Sequence, residues 1–167
     1  SNILGVQAWN TTISFTLVRN PFARLYSCWN YTAEIKEKSF KEWLITGAPW
    51  PEKDHHAKTR PANPILSQKN WISDSSGKLM VNFVCRLEEL ELTGLPILKA
   101  IVDDDFKISP HWVNKTTELG EYRRHYDNEM IDFVHKNCSE DLEEFQYNFN
   151  GVNTPGWFYW SYDDLCI

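Results

Sequence analysis

The spacing of apolar residues changes several times along the chain, and each change marks an element. Residues 13–18, ISFTLV, are β-branched and aromatic, which predicts a short buried strand. Arg19-Asn20-Pro21 ends it. Over residues 22–36, Phe22, Leu25, Tyr26, Trp29 and Ala33 recur at helical spacing. Pro21 falls in the first turn of that helix, where its missing N–H costs nothing. Ser39-Phe40-Lys41-Glu42 has the spacing of a capping box and opens a short helix to about Thr46, which Gly47 stops. Residues 48–64 carry Pro49, Pro51, Pro61 and Pro64 and read as a long irregular loop. Trp71-Ile72-Ser73, the turn residues 74–77 and the run 79–84 predict a hairpin or a turn into a strand. A short helix follows over 95–102, then a polar, irregular stretch over 103–120. The clearest helix is 121–136, with Tyr122, Tyr126, Met130, Phe133 and Val134 on one stripe. Ser139 opens another, with Glu140 and Asp141 suited to its N-terminal dipole. No element is assigned from Gly151 onward, where aromatic residues are broken by Pro and Gly. There is no internal repeat.

Composition narrows the function classes. A chain of 167 residues, 42% apolar and 24% charged, is sized and balanced for one globular domain and not for wholesale disorder. With 17 Lys+Arg against 23 Asp+Glu the net charge is -6, which disfavours a general nucleic-acid binder but leaves room for a local cationic pocket. No run reaches the roughly 18–20 apolar residues that span a bilayer. The first five residues resemble neither a signal peptide nor a transit peptide. The eight tryptophans suit core packing or, alternatively, stacking on sugars or bases. Cys28, Cys85, Cys138 and Cys166 are widely spaced, form no zinc pattern and call for no metal; two disulfides are possible but not required. Sequons begin at Asn10, Asn30, Asn114 and Asn137 and matter only in a secretory compartment.

The segment that carries chemistry is Phe15 to Trp29. A strand delivers Arg19 to its carboxyl end, where ligands bind in open α/β sheets. The helix start beyond it offers N–H groups and partial positive charge to an anion. Ser27 lies in the second turn, so its hydroxyl can turn toward the same crevice. Arg19 can grip a phosphate with two parallel donors and Ser27 can add one more. The plainer alternative is an arginine paired with a nearby carboxylate and a serine bonded to its own helix.

Val18-Arg19-Asn20-Pro21-x-x-Arg24-Leu25-x-Ser27-x-Trp29 closely resembles the 3′-phosphate motif of PAPS-dependent sulfotransferases, in particular the carbohydrate branch with Golgi and bacterial members. The likeness continues through Ser67-Gln68-x-x-Trp71-Ile72-x-Asp74-x-x-Gly77 and Val81-Asn82-Phe83-Val84-x-Arg86-Leu87-Glu88-x-Leu90. Further on come Pro110-His111-x-x-Asn114-Lys115-Thr116, Tyr122-Arg123-x-x-Tyr126 and Asp141-Leu142-x-x-Phe145-x-Tyr147-x-Phe149, so that it spans roughly residues 8–150. The resemblance implies an α/β, P-loop nucleotide-kinase-like fold with a mainly parallel sheet. It implies PAPS as sulfuryl donor, PAP as product and a saccharide hydroxyl as acceptor. Arg19 and Ser27 would hold the 3′-phosphate. Arg24 would join them or pair structurally near the helix start. Lys115 and Thr116 would add donors or belong to a solvated loop. Arg86 and Glu88 are expected to form a structural pair, and Trp71 and Asp74 to build the hairpin.

The sequence departs from that family in one respect. The Pro-Lys-x-(Gly/Ala)-(Gly/Ser)-Thr type of loop for the 5′-phosphosulfate is absent from the eighteen residues before Arg19. The expected sulfotransferase-like domain, residues 1–150, is therefore N-terminally incomplete, followed by an aromatic tail over 151–167. A catalytic base is not evident. His55 and His56 in the Pro-rich loop and His111 are the candidates, and weak or no turnover is expected of these residues alone. An incomplete sheet predicts self-association or strand exchange. A non-catalytic nucleotide- or glycan-binding domain is the alternative function. Cytoplasm in a bacterium or phage host is favoured for location, with the Golgi lumen as the alternative.

Overall fold

The computed structural model describes residues 12–31, 37–50, 64–102 and 121–160. Its centre is a three-stranded sheet in the order β1 (Phe15–Val18), β2 (Phe83–Arg86), β5 (Phe158–Trp160). β1 and β2 run parallel, with Phe15 opposite Phe83 and Val18 opposite Arg86. β5 runs antiparallel to β2, with Tyr159 opposite Val84. The class is α/β as expected, but the sheet is mixed and not mainly parallel. The difference comes from the segment left unassigned in the sequence. After a small hairpin of β3 (Tyr147–Asn148) and β4 (Gly151–Val152), the chain returns through Phe158, Tyr159 and Trp160 as the third strand.

Alternation along β2 fixes what lies on each face of the sheet. Phe83 and Cys85 point to one side, where they are buried under Leu98 of α4 (Leu95–Val102). Val84 points to the other side and joins the main core with Val18. That core is built on α1 (Pro21–Tyr31), α2 (Phe40–Ile45), α5 (Asn128–Asn137) and α6 (Ser139–Glu144). β2 is buried along its whole length, which is why its sequence reads as a continuous run rather than an alternating one.

Local signals account for the element ends. Asn20 caps α1: its side-chain oxygen accepts the N–H of Phe22 at 3.0 Å, and its carbonyl accepts that of Arg24 at 2.8 Å. Ser39 and Glu42 form the expected reciprocal capping box on α2. Around Asp74 the expected turn forms, its carboxylate accepting the N–H groups of Ser76 and Lys78, with Gly77 at φ 84° and a single bridge from Ser73 to Leu79. The short α3 (Gln68–Trp71) precedes it.

The helix expected over 121–136 is divided. Glu121–His125 is a 3-10 turn, and α5 begins only at Asn128. Asp127 causes the break, because its carboxylate accepts the Met130 N–H as an N-cap, which requires extended backbone at φ -100°, ψ 176°. The apolar stripe survives across the break. The hydroxyls of Tyr122 and Tyr126 reach the carbonyls of Phe149 and Phe22, each within 2.9 Å.

Candidate functional site

Arg19 occupies the turn between β1 and α1. Its main chain is held on both sides by one side chain: its N–H donates to Gln68 Oε1 at 3.0 Å, and its carbonyl accepts from Gln68 Nε2 at 2.8 Å. The guanidinium itself, partly buried, has no hydrogen-bond or ion-pair partner among the described residues. The helix start beyond it is less open to an anion than a bare end. Pro21 has no N–H, and those of Phe22 and Arg24 go to Asn20. Charge at this corner therefore resides in side chains.

The remaining atoms of Asn20 tie the corner down. Its N–H donates to Glu88 Oε1 at 3.0 Å, while its side-chain nitrogen donates to the carbonyls of Asn148 and Gly151 at 2.9 and 3.1 Å. The second oxygen of Glu88 accepts the Tyr147 hydroxyl at 2.7 Å, and that hydroxyl also lies 3.2 Å from the Val18 carbonyl. Burial and the neighbouring Glu88 carboxylate push the Tyr147 phenol well above its ordinary range, so it stays a donor.

Ser27 lies on α1 about two turns beyond Asn20, roughly 10 Å along the axis on the same side of the helix. It is partly buried, and its hydroxyl has no hydrogen-bond partner among the described residues. Arg24 shares that side but goes elsewhere. Its Nη2 lies 3.1 Å from the Leu66 carbonyl and 3.5 Å from Asp141 Oδ2, and its Nε is buried without a partner among the described residues. This is the structural pairing that formed one of the two readings of Arg24.

Asp141 stands in the first turn of its own helix, but its carboxylate serves another element. Fully buried, it accepts the Ser67 hydroxyl at 2.8 Å and the N–H groups of Gln68 and Lys69 at 2.9 and 3.0 Å, which caps α3. It also accepts Gln68 Nε2 at 3.2 Å, the same amide that grips Arg19. A chain of contacts thus runs from Asp141 through Gln68 to the backbone of Arg19.

Arg86 is structural, as expected, but its partner is Glu89 and not Glu88. It is fully buried, with Nε 2.8 Å from Glu89 Oε2, and its other nitrogens donate to the carbonyls of Phe145, Gln146 and Thr154. Its guanidinium carbon lies 5.7 and 5.5 Å from the ring centres of Tyr147 and Trp157. The 3-10 turn Leu87–Glu89 explains the exchange: it brings residue 89 back toward residue 86 and turns Glu88 toward Asn20.

A second polar group joins α1 to the 3-10 turn Glu121–His125. Tyr26 and His125 stack with ring centres 4.4 Å apart, and the Tyr26 hydroxyl lies 2.9 Å from His125 Nε2. Arg124 Nε donates to the same nitrogen at 3.2 Å. Burial, and then the Arg124 charge, hold His125 below its ordinary pKa, which favours a neutral ring with Nε2 as acceptor. Cys85 and Cys138 are buried thiols pushed up to about 11 by burial. No group of three or more His, Cys, Asp or Glu that could hold a metal occurs among the described residues.

His55, His56, His111, Lys115 and Thr116 lie outside the described residues. Of the expected site residues, Arg19, Arg24 and Ser27 are brought to one turn-and-helix unit, with Arg24 engaged by Asp141. Gln68, Asp141, Glu88 and Asn20 shape that unit, a role that the sequence assigns to none of them: Glu88 is expected beside Arg86, and Asp141 at the start of its own helix. Their signal lay in the motifs quoted above, but which backbone groups they serve depends on residues 49 to 131 positions away. Comparison with protein-family models, with curated proteins and with solved structures finds no match.

Proposed function

We propose that this chain is sulfotransferase-like and that the Arg19 corner binds the 3′-phosphate of PAPS, or of its product PAP, for transfer of a sulfuryl group to a saccharide hydroxyl. The observation that carries the reading is Arg19. Its backbone is fixed by Gln68, while its guanidinium is unpaired among the described residues at the carboxyl end of a parallel strand. A guanidinium on a fixed backbone, without an ion-pair partner among the described residues, suits an arriving anion. The Ser27 hydroxyl on the following helix, without a hydrogen-bond partner among the described residues, would supply a second donor for it. The parallel β1–β2 pair, followed by α1 and flanked by helices on both faces, is compatible with a P-loop nucleotide-kinase-like architecture.

PAPS, when bound, supplies the sulfuryl group: its sulfur–oxygen bond to the 5′-phosphate breaks as the bond to the acceptor oxygen forms, and PAP leaves. The residues here contribute binding and orientation. Arg19 and Ser27 would anchor the nucleotide, and Gln68 and Asn20 would keep the turn from shifting. The acceptor proton needs a base, for which His55, His56 and His111 remain the candidates. Turnover by the chain alone is expected to be weak.

Calorimetry with PAP tests the reading. Wild type should bind, Arg19→Ala should lose about 1.5–3 kcal/mol of affinity, and Ser27→Ala about 1 kcal/mol. Absence of PAP binding overturns it, and glycan binding in that case would favour the non-catalytic alternative. Robust sulfation of glycans by the isolated chain would overturn the expectation of weak turnover alone.

A further inference from the structure

The β3–β4 turn sits between two side chains that meet nowhere in the sequence. On one side Asn20, the residue after Arg19, donates to the carbonyls of Asn148 and Gly151. On the other, Arg123 Nη2 donates to the Asn150 carbonyl at 2.5 Å and lies 3.8 Å from where a Cβ on Gly151 would stand. The turn is therefore gripped by Arg123 and by Asn20, the residue next to Arg19. Tyr122 reports the same neighbourhood. Its ring lies 5.7 Å from the Arg123 guanidinium carbon, and the charges of Arg123 and Arg19 both act against the burial that raises its pKa.

Neighbouring charges single out Arg123. Arg124 is paired with Glu121, Arg86 with Glu89 and Arg24 with Asp141. Arg123, like Arg19, has no carboxylate partner among the described residues. The nearby Glu88 directs its two oxygens at the Asn20 N–H and the Tyr147 hydroxyl. In a chain of net charge -6, two guanidinium groups that both act on Tyr122, with Glu88 as the neighbouring acid and no ion pair to either arginine among the described residues, are a local exception.

We infer that Arg123 is a second cation of the Arg19 pocket, held in place by the β3–β4 turn, and that the two arginines share one phosphate. The inference rests on the anion-binding reading of Arg19 given above. It makes the hairpin part of the binding site.

The test is calorimetry with two probes, PAP and inorganic pyrophosphate, each at low and high salt. The variants are Arg19→Ala, Arg123→Gln, Arg123→Lys and Arg124→Gln. Glutamine at 123 keeps a donor for the Asn150 carbonyl and removes the charge. Arg123→Gln should weaken both probes about 10-fold and flatten the salt dependence, since one charge-assisted contact is lost. Arg123→Lys should lose about 3-fold or less, and Arg124→Gln should bind as wild type. Binding that Arg19→Ala removes and Arg123→Gln leaves intact overturns the inference and spares the reading of Arg19. Equal losses in Arg123→Gln and Arg123→Lys, with lowered melting temperatures, would assign Arg123 to hairpin stability and also overturn it. Pyrophosphate binding that needs both arginines, without PAP binding, would sustain the two-cation pocket and sink the nucleotide reading. If neither probe binds wild type, both fall.

Discussion

Arg19, Arg24, Arg86 and Arg123 show how far surroundings decide what one residue type does. Arg86 is fully buried against Glu89 and three carbonyls, and Arg24 leans on Asp141, whereas Arg19 and Arg123 keep their charges without a carboxylate partner among the described residues. His125 is a similar case of context at the scale of one side chain. Burial, followed by the adjacent Arg124 charge, lowers its pKa, so the folded protein prefers the neutral ring. The unfolded chain then binds the proton more readily, and stability present above about pH 6.5 is lost as the pH falls toward the folded midpoint. NMR titration should place the His125 midpoint below 6.5, and Arg124→Gln should raise it without disturbing the stack on Tyr26. An unmoved midpoint would show that the Arg124 charge has no part in the shift.

Among the elements, the contact between β2 and the segment after it sets the tightest constraint. Leu90–Gly94 forms a single π-helical turn leading into α4, and it brings Gly94 against Cys85. A Cβ on Gly94 would lie 2.7 Å from Cys85 Sγ and 3.0 Å from Leu90 Cδ1, and Cys85 is fully buried. Gly94→Ala should therefore destabilise by about 2 kcal/mol in urea unfolding. Cys85→Ala removes the obstructing sulfur, so the double variant should lose about 1 kcal/mol or more less than the sum of the singles. Strict additivity would show that the two residues do not oppose each other. Capping explains the other element boundaries. Ser39 with Glu42 was legible because its partners are three residues apart. The Asp127 cap was not, because the apolar stripe runs through it in the sequence even though the backbone does not.

At the scale of the whole molecule, α4 covers one face of β2 but leaves β1 open. Phe15 and Leu17 remain 54% and 38% exposed on a strand that is an edge of the sheet among the described residues, and Ile13, just before it, is 40% exposed. An apolar row beside unpaired strand donors and acceptors invites another strand. Light scattering should show apparent mass rising with protein concentration, and Phe15→Lys with Leu17→Lys should abolish the rise. A concentration-independent monomer would refute the expectation. No helix among the described residues is long and apolar enough to cross a membrane.

Periodicity, capping boxes and turn residues act over a few positions, and so they could be read directly. They determined β1, α1, α2, the turn at Asp74, α4 and the start of α6. They also marked Arg19 and Ser27 as a candidate anion clamp. Pairings between distant segments were decided only by the tertiary structure. The antiparallel return of β5, the choice of Glu89 over Glu88, the grip of Gln68 on Arg19 and the approach of Arg123 all depend on where the backbone places groups dozens of residues apart. A local pattern can state that a side chain needs a partner, but which partner it meets is settled when the core closes and every buried donor must find an acceptor.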